Sequence, residues 1–582
     1  MEPGTLSPVD LMVVVGYFAV AVLVGVALAK RAAAGISSYF LGGRRIPWWA
    51  LGMSGTASNF DMTGTMVIIS FVYALGLQGF WVAMRGGMCL PLGILMAYMG
   101  KWLRRSDVMT TAEWMALRFG AGREGTLARL LSAVANIVVT LAFLVYFVKG
   151  TGKFLSVFLP FSPDTCSLIM VVVATAYTAL SGFYGVIYTD VLQECMILVA
   201  SVFVGYKAFS LPNHREVLGF AGQTWTSFSP QWTAEPMHWL ASSDIYQMFG
   251  LCIVFWIMRG IFEGAGGLTG GYMPQRYYAT RNEREAGLLT AEWIILLQFR
   301  WLLIVGAAVL GLSIALSSPE VAAMLSKDPE KTLPVVLAYA IPSGVRGLLV
   351  AGLMAAAMST FDSTINAGVS YWVRDVYQAY LRPSAGSRAT MRQSYGATVA
   401  FAAVAVMLAL GVRNINDIWS WITGPLSAGL FVPLILRWYW WRLNGYGFAM
   451  STAAGLLFSI GLKLLAPDMP FYLSFVAAMS ASLAVAVVGS YATSPTAAKT
   501  LRTFWLKVRP FGLWAPVTRE LDKARVRKAR RESSFELVNA VAATCWHVVG
   551  VVLVISLVLR KWAMLPVGGV VFVVLAVVLF FT

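Results

Sequence analysis

The sequence predicts an all-α polytopic membrane protein with a five-plus-five inverted-repeat core, broken first and sixth core helices, and about 14–15 transmembrane helices in all. Three observations carry that prediction. Hydrophobic residues make up 58% of the 582 and charged residues only 12%, and mean hydropathy is +0.72, a balance far from that of soluble domains. Apolar runs of about 20 residues, the length that spans a bilayer, recur along the whole chain. Two of these runs, five helices apart, are interrupted at their middle by glycines and polar residues, which a simple lipid-facing anchor does not tolerate.

The runs lie near 9–30, 47–75, 78–103, 127–158, 165–181, 186–210, 244–270, 286–317, 345–373, 393–412, 416–441, 448–466, 471–492, 541–560 and 562–581. The first, within an N-terminal segment 1–45, has Glu2 and Asp10 near its start and no basic n-region. It therefore reads as a retained helix and not as a cleaved leader. The second reads WWALGMSGTASNFDMTGTMVIIS, with Gly52, Gly55, Asn59, Asp61, Thr63 and Gly64 at its centre. Such a run predicts a helix broken at membrane depth, whose freed carbonyls and amides line a cavity. The seventh, FWIMRGIFEGAGGLTGG, crowds Arg259, Gly260, Glu263 and Gly264 into its second half. Equivalent breaks in two halves pair about 46–210 with about 243–441. Beyond the halves come two accessory helices at 448–492, a basic, Pro-punctuated segment at 493–540, and one or two further membrane helices at 541–582.

The net charge of +17 would suggest nucleic acid in a soluble protein; here its placement decides. With the N-terminus outside, about thirty of the Lys and Arg residues fall in alternate, cytoplasmic segments, 493–540 among them, which predicts a multi-pass inner-membrane protein. Topogenic charge or contact with anionic lipid accounts for the 499–531 run better than RNA does. The five cysteines and three histidines are scattered, so neither a disulfide framework nor a zinc site is supported. No phosphate loop, Walker motif or nucleophile elbow occurs, which argues against an enzyme, against ATP hydrolysis and for an ion gradient as the source of energy.

Within the 345–373 run, AGLMAAAMSTFDSTIN places Ser359, Thr360, Asp362 and Ser363 within about one helical turn. Oxygen-bearing side chains in hydrocarbon mark a functional site, and oxygens are the ligands hard cations prefer.

Five segments in order resemble the sodium:solute symporter family, which includes sodium-coupled sugar, proline, pantothenate and sialic acid transporters. They are SSYFLGGRRIPWWALGMS at 37–54, TAEWMALRFG at 111–120, SGFYGVIYTDVLQ at 181–193, GGYMPQRYYATRNEREA at 270–286 and AAAMSTFDSTINAGVSYWVRDVY at 355–377. The resemblance implies a principal sodium site made of the carbonyls of Ala57, Phe60 and Ala356 and the hydroxyls of Ser359 and Thr360. It also implies a second cation site at Asp190, Asp362 and Ser363; the competing reading is a gate in which Asp190 pairs with a cytoplasmic-side base. The stretch DMTG at 61–64 looks like the proline branch, which implies a coupling role for Asp61; capping of the following half-helix is the competing reading. The solute would lie beside the ions at the membrane midplane. Its expected lining is Thr63, Gly64, Thr65, Arg85, Asn136, Tyr146, Trp256, Arg259, Glu263 and Trp419. Arg85 and Arg259 suit a carboxylate, unless Arg259 and Glu263, at i and i+4, neutralise one another.

The expectation is thus a sodium-coupled symporter importing a small polar organic solute, anionic or zwitterionic before sugar, with Na+ as coupling ion and no organic cofactor. Its partners would be the solute, sodium and the lipid bilayer, with no nucleic acid. The alternative is a transporter-like membrane sensor engaging a cytoplasmic partner through 493–540.

Overall fold

The breaks foreseen in the apolar runs divide the helices into two kinds. In the computed structural model, which describes residues 6–32, 36–84, 89–233, 248–267, 272–412, 415–467 and 469–581, eleven helices are long and apolar enough to cross a bilayer unaided. The other four expected spans are interrupted or short. The run 47–75 becomes α2 (Trp48–Phe60) and α3 (Met62–Leu75), and 78–103 is divided into several pieces, among them α4 (Cys89–Ile94). The runs 165–181 and 186–210 are joined in one 47-residue helix, α6 (Pro163–Phe209), and 244–270 contributes only α7 (Phe249–Ala265). Among the described residues there is no strand, only the isolated bridge between Trp440 and Leu513.

Around these stand α1 (Pro8–Ala32), α5 (Arg123–Leu155), α8 (Met273–Ala279), α9 (Glu283–Ser317), α10 (Val345–Ser370), α11 (Ser387–Leu410), α12 (Ser427–Tyr439), α13 (Gly445–Leu465), α14 (Phe471–Ala492), α15 (Lys523–Val558) and α16 (Met564–Phe581). Local sequence sets several of the starts. The side chains of Ser162, Asn282, Asn444 and Asp522 each accept from a backbone amide in the first turn that follows, so amides with no partner inside the helix are satisfied.

The centre of the molecule is α10. Of its most apolar window, 94% is buried, where a lipid-facing helix would be half exposed; α1, α5, α6 and α2 pack around it. The broken helix α2 is held against α9 because Gly55 has no side chain: a Cβ there would fall 2.7 Å from the Trp293 ring, so close helix contact requires glycine. At the other extreme, α16 has no buried residue and touches mainly α15.

The basic segment is folded onto the core. Arg118 is fully buried and donates to the backbone carbonyls of Arg437, Trp440, Trp441 and Leu443, while the Trp514 indole donates to the Trp438 carbonyl at 2.8 Å. Lys101 and Arg105 pair with Glu532 of α15 at 2.9 and 2.7 Å. The basic side chains Lys523, Arg525, Arg527, Lys528, Arg530 and Arg531 remain exposed.

Candidate functional site

The site begins at the break between α2 and α3. Asp61 leaves helical geometry (φ 14, ψ 107), which exposes the last carbonyls of α2 and the first amides of α3. Its carboxylate turns back on α3 and accepts from the amides of Thr63 (3.1 Å) and Gly64 (2.8 Å), and from the Tyr146 hydroxyl of α5 (3.0 Å). The capping geometry foreseen for Asp61 is therefore present, and the same carboxylate also lines a cavity. Thr65 donates to the Phe60 carbonyl and accepts from Arg300 of α9 at 3.2 Å.

Opposite the break, α10 presents its polar turn. The Thr360 hydroxyl lies 2.9 Å from both the Ala356 and the Ser58 carbonyl oxygens, and the Ser359 hydroxyl lies 3.2 Å from that of Ser58. Ala57, Phe60, Ala356, Ser359 and Thr360 are all fully buried. Carbonyl and hydroxyl oxygens thus converge from two helices, the donor set that suits Na+.

Asp190, Asp362 and Ser363 do not form one cluster. Asp362 accepts from the Thr178 hydroxyl through one oxygen, and its other oxygen has no hydrogen-bond partner among the described residues. Asp190 accepts from the Ser54 hydroxyl and pairs with Arg276 of α8 at 3.4 Å. The same Arg276 nitrogen reaches the Ser54 hydroxyl (2.7 Å) and carbonyl (3.0 Å), the Ser58 hydroxyl (2.8 Å) and the Ser363 hydroxyl (3.2 Å). One nitrogen faces five oxygens. The guanidinium thus occupies the space between Asp190 and the Ser54, Ser58 and Ser363 oxygens. Arg276 stands among the charged residues of the 270–286 segment, yet its side chain is wholly buried; the helix α8, too short to register as an apolar run, carries it inward.

Beside the break lies a cavity of about 130 Å³. It gathers Gly64, Tyr146, Arg259, Glu263 and Trp419 of the expected solute lining, together with Asp61, the expected coupling residue, Arg300, and apolar walls from Ile68, Phe143 and Trp301. Trp419 lies over Tyr146 with ring centroids 4.7 Å apart. Arg259 and Glu263 form the i,i+4 pair at 2.9 Å, so each compensates the other on the cavity wall. Other expected members stand elsewhere. Asn136 donates to the Ser132 carbonyl of its own helix at 2.7 Å and borders a separate, smaller pocket. Trp256 packs edge-on against Phe249, Thr63 faces Gly150, and Thr65 serves the break. Arg85 lies outside the described residues. Arg300 went unremarked in the sequence, although a lone cation in the middle of the 286–317 run is itself a signal of function.

The sequence model of the sodium:solute symporter family matches residues 39–455. The sodium/glucose cotransporter of Vibrio parahaemolyticus is 24% identical over 496 residues, covering 80% of this chain and 87% of its own. The sodium/sialic acid symporter NanT of Aliivibrio fischeri is 24% identical over 531 residues, covering 85% and 94%. A solved structure of a Na+-coupled sialic acid symporter, substrate-bound and outward-open, superposes with a TM-score of 0.67 at 18% identity, covering 84% of this chain and 99% of that one, which establishes a shared fold.

Proposed function

Because the chain belongs to the sodium:solute symporter family, we propose that it is a secondary-active, sodium-coupled symporter that imports a small anionic or zwitterionic organic solute by alternating access. The observation that carries the solute class is the cavity beside the helix break, where Asp61 and Arg300 stand on one side and the Arg259–Glu263 pair on another. Charges of both signs, paired with one another in a small, largely apolar space, would complement a solute that itself bears charge, whose groups could share those pairs.

Sodium would be held by the carbonyls of Ala57, Phe60 and Ala356 and the hydroxyls of Ser359 and Thr360. By joining α2 to α10 it would favour the conformation in which the cavity is formed, so solute and ion would strengthen one another's binding. Asp61, which caps α3 and borders the cavity, would couple the two. The five oxygens around Arg276 favour the gate reading over a second cation: its pairing with Asp190 closes the path beneath the ion, and inward opening requires that it part. The halves 46–210 and 243–441 would move against each other in an inner membrane, with the N-terminus outside and 493–540 in the cytoplasm. The relatives named above are sodium-coupled symporters, which leaves the sensor reading without support.

The test is a thermal-shift screen of the purified protein against amino acids, acidic sugars and neutral sugars, in sodium and in potassium, followed by proteoliposome uptake of whatever stabilises it. Stabilisation by charged solutes in sodium alone is expected. Equal stabilisation by neutral sugars would overturn the solute class, and equal stabilisation in potassium the coupling ion.

A further inference from the structure

The cavity is not enclosed by the family-matched residues alone. One of its walls is His547, on α15 and well beyond residue 455. This residue is 1% exposed, and its Nδ1 is buried without a hydrogen-bond partner among the described residues. A buried imidazole nitrogen left unpaired is costly unless a ligand or water meets it, and the His547 ring borders the cavity.

The helix is shaped to bring that ring inward. Ala540, Ala543, Thr544, His547, Gly550 and Val551 recur at helical spacing on one face, and all but the partly covered Thr544 are buried. On either side of His547, glycines allow close approach. A Cβ on Gly93 of α4 would fall 2.1 Å from the Thr544 hydroxyl and 2.8 Å from its amide nitrogen, and one on Gly550 would fall 2.2 Å from the Gln298 amide of α9. Helix α15 therefore wedges against both α4 and α9, and His547 passes between them. Both ends of the wedge are pinned. Glu532 and Glu536 hold Lys101 at one end; at the other, the Val558 carbonyl meets the His214 ring at 3.1 Å and Arg560 donates to the Phe209 carbonyl.

We propose that α15 is a permanent wall of the solute cavity and that His547 is a specificity-determining residue, its imidazole meeting a polar atom of the bound solute. This rests on the reading of the cavity as the solute site. It makes the C-terminal helix part of the recognition machinery and not an accessory anchor.

Accessibility tests it in the full-length protein in proteoliposomes. In a Cys89→Ala background, His547→Cys is exposed to the charged thiol reagent 2-(trimethylammonium)ethyl methanethiosulfonate, and labelling is mapped by mass spectrometry. The native Cys545, two residues away and exposed on the outer face of the same helix, is the internal control, since a permanently charged reagent reaches it only through lipid. The introduced thiol should be labelled at least about tenfold faster than Cys545, because access and not intrinsic reactivity differs between them. Labelling no faster than Cys545 overturns the proposal. Should that variant fail to fold, acylation of native His547 by diethyl pyrocarbonate replaces it; an unmodified His547 in both sodium and N-methylglucamine is then the overturning result. A rate that changes when sodium replaces N-methylglucamine reports on alternating access separately. Fast but sodium-independent labelling would keep His547 in the cavity while removing support for the coupling mechanism.

Discussion

The Thr360 hydroxyl sits between two carbonyl oxygens, Ala356 of its own helix and Ser58 of the broken helix, at 2.9 Å from each. A hydroxyl has one proton and cannot satisfy both, while its lone pairs and both carbonyls can serve a cation together. The junction of α2 and α10 is thus a place where a monovalent ion would gain several oxygens once the Thr360 O–H turns away from the carbonyls and offers a lone pair.

From this follows the first prediction. Sodium should raise the melting temperature of the solubilised protein more than potassium does, and Ser359→Ala combined with Thr360→Ala should abolish the difference. The fold itself should survive, because both side chains are small and the replacements leave helix α10 with a residue of high helical propensity. A sodium effect undiminished in the double variant would show that the ion binds elsewhere.

Arg276 supports a second prediction, drawn from its five oxygen neighbours. With the guanidinium occupying the space beside Asp190, the sodium dependence of uptake should be first order; second-order dependence would restore the second cation site. Arg276→Gln should destabilise the protein by roughly 3–5 kcal/mol, since it strands a buried carboxylate. Adding Asp190→Asn should recover much of that loss, and denaturation of both singles and the double measures the coupling.

How much of this could be read from sequence depended on the kind of signal. Helix α10 announced itself because Ser359, Thr360 and Asp362 are out of place in an apolar run, and the break at Asp61 did so through its glycines. The Arg259–Glu263 pair was legible because both partners lie on one helix at fixed spacing. Arg276 and Arg300 were not, since nothing local says that α8 turns into the core or that α9 aims Arg300 at Thr65; only packing decides which face of a helix meets the cavity. Asn136 was misplaced for the same reason. It lies on α5 with Tyr146, but it borders a pocket with Leu430 and Phe448 and not the cavity that Tyr146 lines.

Asp61 provides a third prediction by separating two duties of one carboxylate. Asp61→Asn keeps a side-chain oxygen to cap α3 but removes the charge beside Arg300, whereas Asp61→Ala removes both. The alanine variant should therefore be less stable than the asparagine variant by about 1 kcal/mol, the usual worth of a cap. Both should lose sodium-driven uptake. Uptake surviving in Asp61→Asn would confine the residue to capping.

Gly64 gives the fourth. It stands where Asp61, Tyr146 and Arg300 converge: a Cβ there would fall 2.7 Å from an Asp61 carboxylate oxygen, 3.0 Å from the Tyr146 hydroxyl and 3.4 Å from an Arg300 nitrogen. In an ordinary helix, Gly→Ala is stabilising by about 0.5–1 kcal/mol, because alanine loses less backbone entropy on folding. Here the added methyl must push aside a carboxylate held by the Gly64 amide and the Tyr146 hydroxyl. Gly64→Ala should consequently leave the melting temperature close to that of the parent, the two effects opposing each other. Solute-dependent stabilisation should fall sharply, because the methyl occupies the cavity wall between the charges. Sodium-dependent stabilisation should remain, since Ser359, Thr360 and the carbonyls that face them are untouched. Thermal shifts with sodium alone and with sodium plus solute separate these outcomes; an unchanged solute shift in Gly64→Ala would place the solute away from the helix break.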